Sequence, residues 1–177
     1  MVLHASISSY NLNSGDVLTS TAWNWIVNEI KPVAAKYSVS SNQSFPHWTN
    51  TIVNFDSIDY DSNTAVTTWS NWKFTAPKDW LYRVTTSFNT NSVAWWASDS
   101  MWIWTKVNGT YKNLIWGWFI WALTNAGNMN WSSTYNLTSG DYLQIDLTIW
   151  RPGWTTLNWS NLWLNWVTIE RVGDKIN

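Results

Sequence analysis

The chain has no cysteine, so neither a disulfide framework nor a thiolate metal site is open to it. Histidine is nearly missing as well: His4 and His47 stand far apart, which leaves no constellation for zinc or for a nucleophile relay. Glu29 and Glu170 are the only glutamates, and nothing marks a pair of carboxylates for acid–base work. Charged residues make up 12% of the chain and the net charge is -1. Lys and Arg are scattered singly, which excludes a basic nucleic-acid footprint and a polybasic membrane patch. Long hydrophobic runs are missing too. The longest, Leu114 to Leu123 in "LIWGWFIWAL", is about half the ~20 residues of a membrane helix, so no membrane insertion is expected. "MVLHASISSYNLNSG" has no basic segment followed by an apolar one, and no secretory signal is expected. Glycine is the oddest shortage: Gly 7 against Trp 19 inverts ordinary usage.

At 177 residues the chain can bury a full core in one domain. From Val17 to Lys36 the pattern is helical: Trp23, Ile26, Val27 and Ile30 recur at one face after candidate N-caps Thr19, Ser20 and Thr21. Pro32 should end that helix, expected over about residues 19–31. After Ser38 short runs rich in Val, Ile, Thr and aromatics alternate with turn residues, the texture of a sandwich or barrel. Strands are expected near Trp48–Phe55, Val66–Trp69, Trp72–Phe74, Leu81–Phe88, Met101–Val107, Tyr111–Ile120, Ser132–Leu137, Tyr142–Trp150 and Leu164–Val172. Asn108-Gly109 supplies the positive φ angles of a type I′ hairpin turn. The fold class expected is all-β and antiparallel with a short N-terminal helix.

The ordered set Phe55, Asp61, Phe74 and Tyr82, with the "KVNGT" hairpin, "LTSGDYLQIDL" and the closing "VTIERVG", resembles the C1q globular domain of the C1q/tumour-necrosis-factor superfamily. The resemblance runs from about Ser44 to Gly173 and implies a jelly-roll β-sandwich at 44–177, preceded by an N-terminal segment at 1–43 that attaches the domain or forms a trimer base. It further implies a homotrimer with no catalytic role and no cofactor. The bulky aromatic usual between Asp61 and Phe74 is missing, Val66 or Thr67 standing there, and Trp80 occupies the family's glycine. "SGDVLTSTAWNWIVNEI" resembles a segment near the start of phage-fibre and related appendage proteins.

Trp80 follows Lys78-Asp79, where a glycine would take positive φ without steric cost and a tryptophan would be strained. Asn also precedes Trp25, Trp72, Trp131, Trp159 and Trp166, and Gly153 precedes Trp154; read as glycine, these become ordinary turn dipeptides. One reading is that many tryptophans record a UGA codon decoded as glycine in the source organism, Trp23 being an exception because it fits the helical stripe. The other is a truly tryptophan-rich surface. On the recoding reading, Trp80→Gly is expected to give the more stable chain.

Two clusters have ligand chemistry. Trp95 and Trp96 in "VAWWAS" offer flat apolar faces on which a sugar could stack, against the plainer reading of one core residue and one decoding artefact or subunit contact. Asp56, Asp59 and Asp61 in "FDSIDYDSN" offer oxygen ligands for calcium, but without the Gly and late Glu of an EF-hand loop, and a solvated acidic loop is the better reading. The function expected is adhesion or recognition of a protein or glycan receptor on a cell surface, by a trimer at the tip of a phage fibre or bacterial appendage, on the virion surface or outside the cell. The alternative is a carbohydrate-binding module using exposed tryptophans.

Overall fold

The computed structural model of the protein describes residues 33–66, 70–89, 100–118, 128–150 and 165–174. The helix expected at about 19–31 lies outside them. The strands are β1 (Ala34–Ser38), β2 (Thr51–Ile52), β3 (Ser57–Asp61), β4 (Phe74–Thr75), β5 (Trp80–Asn89), β6 (Ser100–Val107), β7 (Thr110–Trp118), β8 (Asn128–Leu137), β9 (Tyr142–Trp150) and β10 (Trp166–Asp174). They form two antiparallel sheets, ordered β3-β1-β10-β5-β8 and β2-β9-β6-β7, with β4 also paired to β9. Apart from the β6–β7 hairpin, consecutive strands lie in opposite sheets, so the chain crosses between the two layers at each of the other connections, the jelly-roll arrangement.

Period-two alternation builds the core. In β9, Leu143, Ile145, Leu147 and Ile149 are buried between the sheets while Gln144, Asp146 and Thr148 take the other face. In β5, Tyr82, Val84 and Phe88 point inward and Arg83 outward, where it pairs with Glu170 at 2.7 Å. Aromatic edges lock the centre: Trp72 meets Phe55 at 4.9 Å and Tyr37 at 5.6 Å, both edge-on. Such pairs add about 0.5–1.5 kcal/mol each beyond area burial. Asn108 and Gly109 have φ 51 and 76, the double positive φ that the hairpin requires.

Three local expectations change. Ala34–Lys36, read as the end of the helical pattern, belong to β1, which is hydrogen-bonded to β10 on one side and β3 on the other. Sandwich pairing therefore reaches back to residue 34, into the part assigned to the N-terminal segment. The acidic stretch read as a loop contains edge strand β3. Trp72 sits in a turn rather than a strand, and of the run at 66–69 only the bridge from Val66 to Phe74 lies within the described residues.

Candidate functional site

The outward face of the β2-β9-β6-β7 sheet carries an unusual polar cluster. Register places Trp102 opposite Thr148, Trp104 opposite Asp146 and Lys106 opposite Gln144. Aromatic rings and the Lys106 stem cover this face, so Asp146 is 0% exposed although it points away from the core. Its Oδ2 pairs with Lys106 Nζ and accepts from the Tyr111 hydroxyl at 3.4 Å, while Oδ1 has no partner among the described residues. Burial disfavours the Lys106 charge, but the bonds to Asp146 and Tyr111 outweigh it and raise the ammonium pKa. Asn50 extends the network, donating to Tyr111 Oη at 2.6 Å and accepting from Thr148. Lys106 Nζ lies 4.5 Å from the Tyr111 ring centre.

Beside this network Trp48 stacks on Trp102, with centroids 5.0 Å apart and planes 8° from parallel. Trp48 is 60% exposed, so it presents a flat apolar surface to solvent. Its φ of 58 is the only positive value at a tryptophan among the described residues.

The signature residues converge on the core: Phe55, Phe74 and Tyr82 are fully buried, and Phe74 meets Tyr82 edge-on at 5.6 Å. The Tyr82 hydroxyl donates to the Lys78 carbonyl at 2.9 Å, and burial pushes its pKa up to about 12. Asp61 accepts from the Tyr37 hydroxyl at 2.5 Å and from the Ala65 amide at 2.8 Å, fixing the end of β3 against β1. Burial, reinforced by that Asp61 bond, raises the Tyr37 pKa. Trp80 does not take the positive φ expected of it. It opens β5 in extended conformation, is 6% exposed, and lies under the Arg171 guanidinium at 4.2 Å. Position 80 therefore does not require glycine, because the turn after Asp79 closes without αL backbone there.

The three aspartates are each engaged locally. Asp56 accepts from the Ser40 amide and the Ser41 hydroxyl, Asp59 from Ser38 Oγ at 2.9 Å and Lys36 Nζ at 2.8 Å, and Asp61 as above. Among the described residues no three His, Asp or Glu side chains are grouped to hold a metal ion. Trp95 and Trp96 lie outside the described residues. Sequence reasoning missed the Asp146 network; its one signal was an aspartate on the polar phase of the alternating "LQIDL".

No family description and no curated protein matches the chain by sequence. Solved structures match it by shape. Murine APRIL at pH 8.5 superposes with a TM-score of 0.56 at 8% identity, covering 80% of this chain and 100% of that one. The globular domain of zebrafish complement 1qA gives 0.53 at 9% identity, over 82% of this chain and 99% of that one. Eiger TNF from S. frugiperda gives 0.57 at 7% identity, over 82% and 96%. At such identities the likeness is one of fold. The chain has a C1q/TNF-like jelly roll, an all-β antiparallel sandwich.

Proposed function

We propose that the chain is a non-enzymatic binding domain that acts as a homotrimer and recognises a protein or glycan receptor on a cell surface, at the tip of a phage fibre or bacterial appendage. The observation that supports this reading is the fold itself, matched over 82% of this chain by chains described as a TNF and a complement 1q globular domain. Exposed apolar side chains such as Leu114, 47% accessible on β7, are the kind of surface a subunit contact takes up. Three copies would make individually weak contacts effective through avidity. Sedimentation at micromolar concentration tests it: a species three times the 20.6 kDa chain mass is expected, and a monomer overturns the reading.

The alternative, a carbohydrate-binding module, is favoured by the exposed Trp48 face stacked on Trp102. Glycan binding by a monomeric chain, lost in Trp48→Ala, would decide for it. The same residue bears on decoding. We propose that a subset of the tryptophans is glycine in the source organism, because Trp48 holds a backbone that L side chains avoid. Peptide mass spectrometry on protein from its source, covering positions 48, 72 and 80, reads the answer directly. Tryptophan at all three would leave the aromatic surface as genuine.

A further inference from the structure

β7 and β8 are the terminal strands of opposite sheets, so their edges frame the open side of the sandwich. A groove of about 520 Å³ runs there, beneath the β6–β7 hairpin, lined by residues of β7, β8 and the turn before β9. Its floor is fixed. The Tyr135 hydroxyl is bonded to Thr105 Oγ1 at 2.6 Å and accepts from Asn113 Nδ2 at 3.1 Å, and Asn113 also donates to Ser133 Oγ at 3.1 Å. Asp141 is fixed as well, accepting from Asn108 Nδ2 at 2.7 Å and the Thr138 amide at 2.8 Å. Above this floor, Lys112, Thr110 and Thr134 line the groove with side chains that have no hydrogen-bond or charge partner among the described residues.

We infer that this groove is a binding site for an acidic sugar residue, a hexuronic or sialic acid unit of a glycan. The inference gives the proposed receptor recognition a ligand class and rests on that reading. A volume in the range of about 300–1,000 Å³ accepts one or two sugar rings. An apolar ligand would desolvate the hydroxyls and the ammonium without return. A polyphosphate would meet one cation and, across the groove, the Asp141 carboxylate. One carboxylate per ring answers Lys112, ring hydroxyls answer Thr110, Thr134 and Asp141, and the half-buried Val107 gives a sugar face apolar contact. No lining residue is a tryptophan, so the site is the same however those codons are read.

The test titrates the full chain with glucuronate and N-acetylneuraminate, using glucose and inorganic phosphate as controls, followed by calorimetry or amide NMR shifts. An acidic sugar is expected to bind at least tenfold tighter than glucose, with Lys112→Gln removing that advantage and Thr134→Val weakening binding severalfold while both variants keep the parent β-sheet circular dichroism. Equal binding of glucose, equal competition by phosphate, full binding by Lys112→Gln, or no binding at tens of millimolar each overturns the inference. Adhesion of the wild-type chain to host cells separates the two claims. If it adheres and Lys112→Gln adheres equally, this site fails and receptor recognition stands. If it binds acidic sugars but no cell, the site stands and the adhesion reading fails.

Discussion

Lys106→Met tests the buried ion pair on the outer face of the β2-β9-β6-β7 sheet. Asp146 is 0% exposed and the Lys106 side chain 17%. In hydrogen-bond contact the two charges attract by about 5 kcal/mol at an effective dielectric of about 20, roughly what desolvating the pair costs. Methionine keeps most of the alkyl volume, so the cavity contribution is small. What remains is a carboxylate with a bond of 3.4 Å to Tyr111 and a bare Oδ1. Removing one member of such a pair costs about 3–5 kcal/mol, which for a chain of this size lowers Tm by roughly 10 °C. Lys106→Met/Asp146→Leu should recover most of the loss, because both charges are then gone. The pH dependence has a definite sign. The Lys106 pKa in the folded chain lies above the ordinary 10.5, so its contribution is complete below that value and is lost as pH rises through the higher folded value. The stability gap between wild type and Lys106→Met, measured by urea unfolding, should be flat across neutral pH and narrow only above 10.5. A single-variant loss below about 1 kcal/mol, with no recovery in the double variant, is the behaviour of a solvated surface pair and would refute the account.

Gly109→Val should cost at least about 1–2 kcal/mol in thermal or urea unfolding, because φ is +76 and the new Cβ would sit 3.3 Å from the Tyr142 hydroxyl. Trp80→Gly should cost about 3–5 kcal/mol by emptying a site that is 6% exposed, reversing the gain expected from strain at that position. Trp48→Gly should change stability by less than about 1 kcal/mol, since relief of αL strain offsets the lost stack on Trp102; equal losses at both positions would show that burial does not distinguish them. Burial opposes the charge on Asp56, but bonds from the Ser40 amide and the Ser41 hydroxyl outweigh it and hold its pKa below the ordinary 3.8. Its contribution is therefore complete above 3.8 and lost as pH falls through the lower folded value, so Asp56→Asn and wild type should converge in acid unfolding curves; a constant gap would contradict this.

Where local chemistry decides structure, the sequence is readable. The strand Tyr142–Trp150 has the bounds its alternation indicates, and Asn108-Gly109 turns as the dipeptide requires. Where distant pairing decides, it is not. "AAKYS" follows a proline and carries two alanines, and its ladders to β3 and to β10, the latter more than a hundred residues away, make it extended. "SIDYD" holds two strand-depleted aspartates that an edge strand tolerates because they hydrogen-bond sideways to Ser38, Lys36 and Tyr37. The Asp146 cluster was hidden for the same reason: Lys106, Tyr111 and Asn50 reach it through strand register, which no spacing in the chain encodes.

The pairing of β1 with β10 has a mechanical consequence. Ala34 lies opposite Glu170, and the Val33 carbonyl accepts from the Arg171 amide at 2.9 Å, so the two ends of the sandwich leave it side by side at one pole. Tension applied between those ends would load the ladder one hydrogen bond at a time, as a zip opens, and would peel β1 away at low force. Tension between a single end and a ligand held elsewhere would bypass that ladder and spread across both sheets. Such a sandwich resists force best when it is held by one end alone.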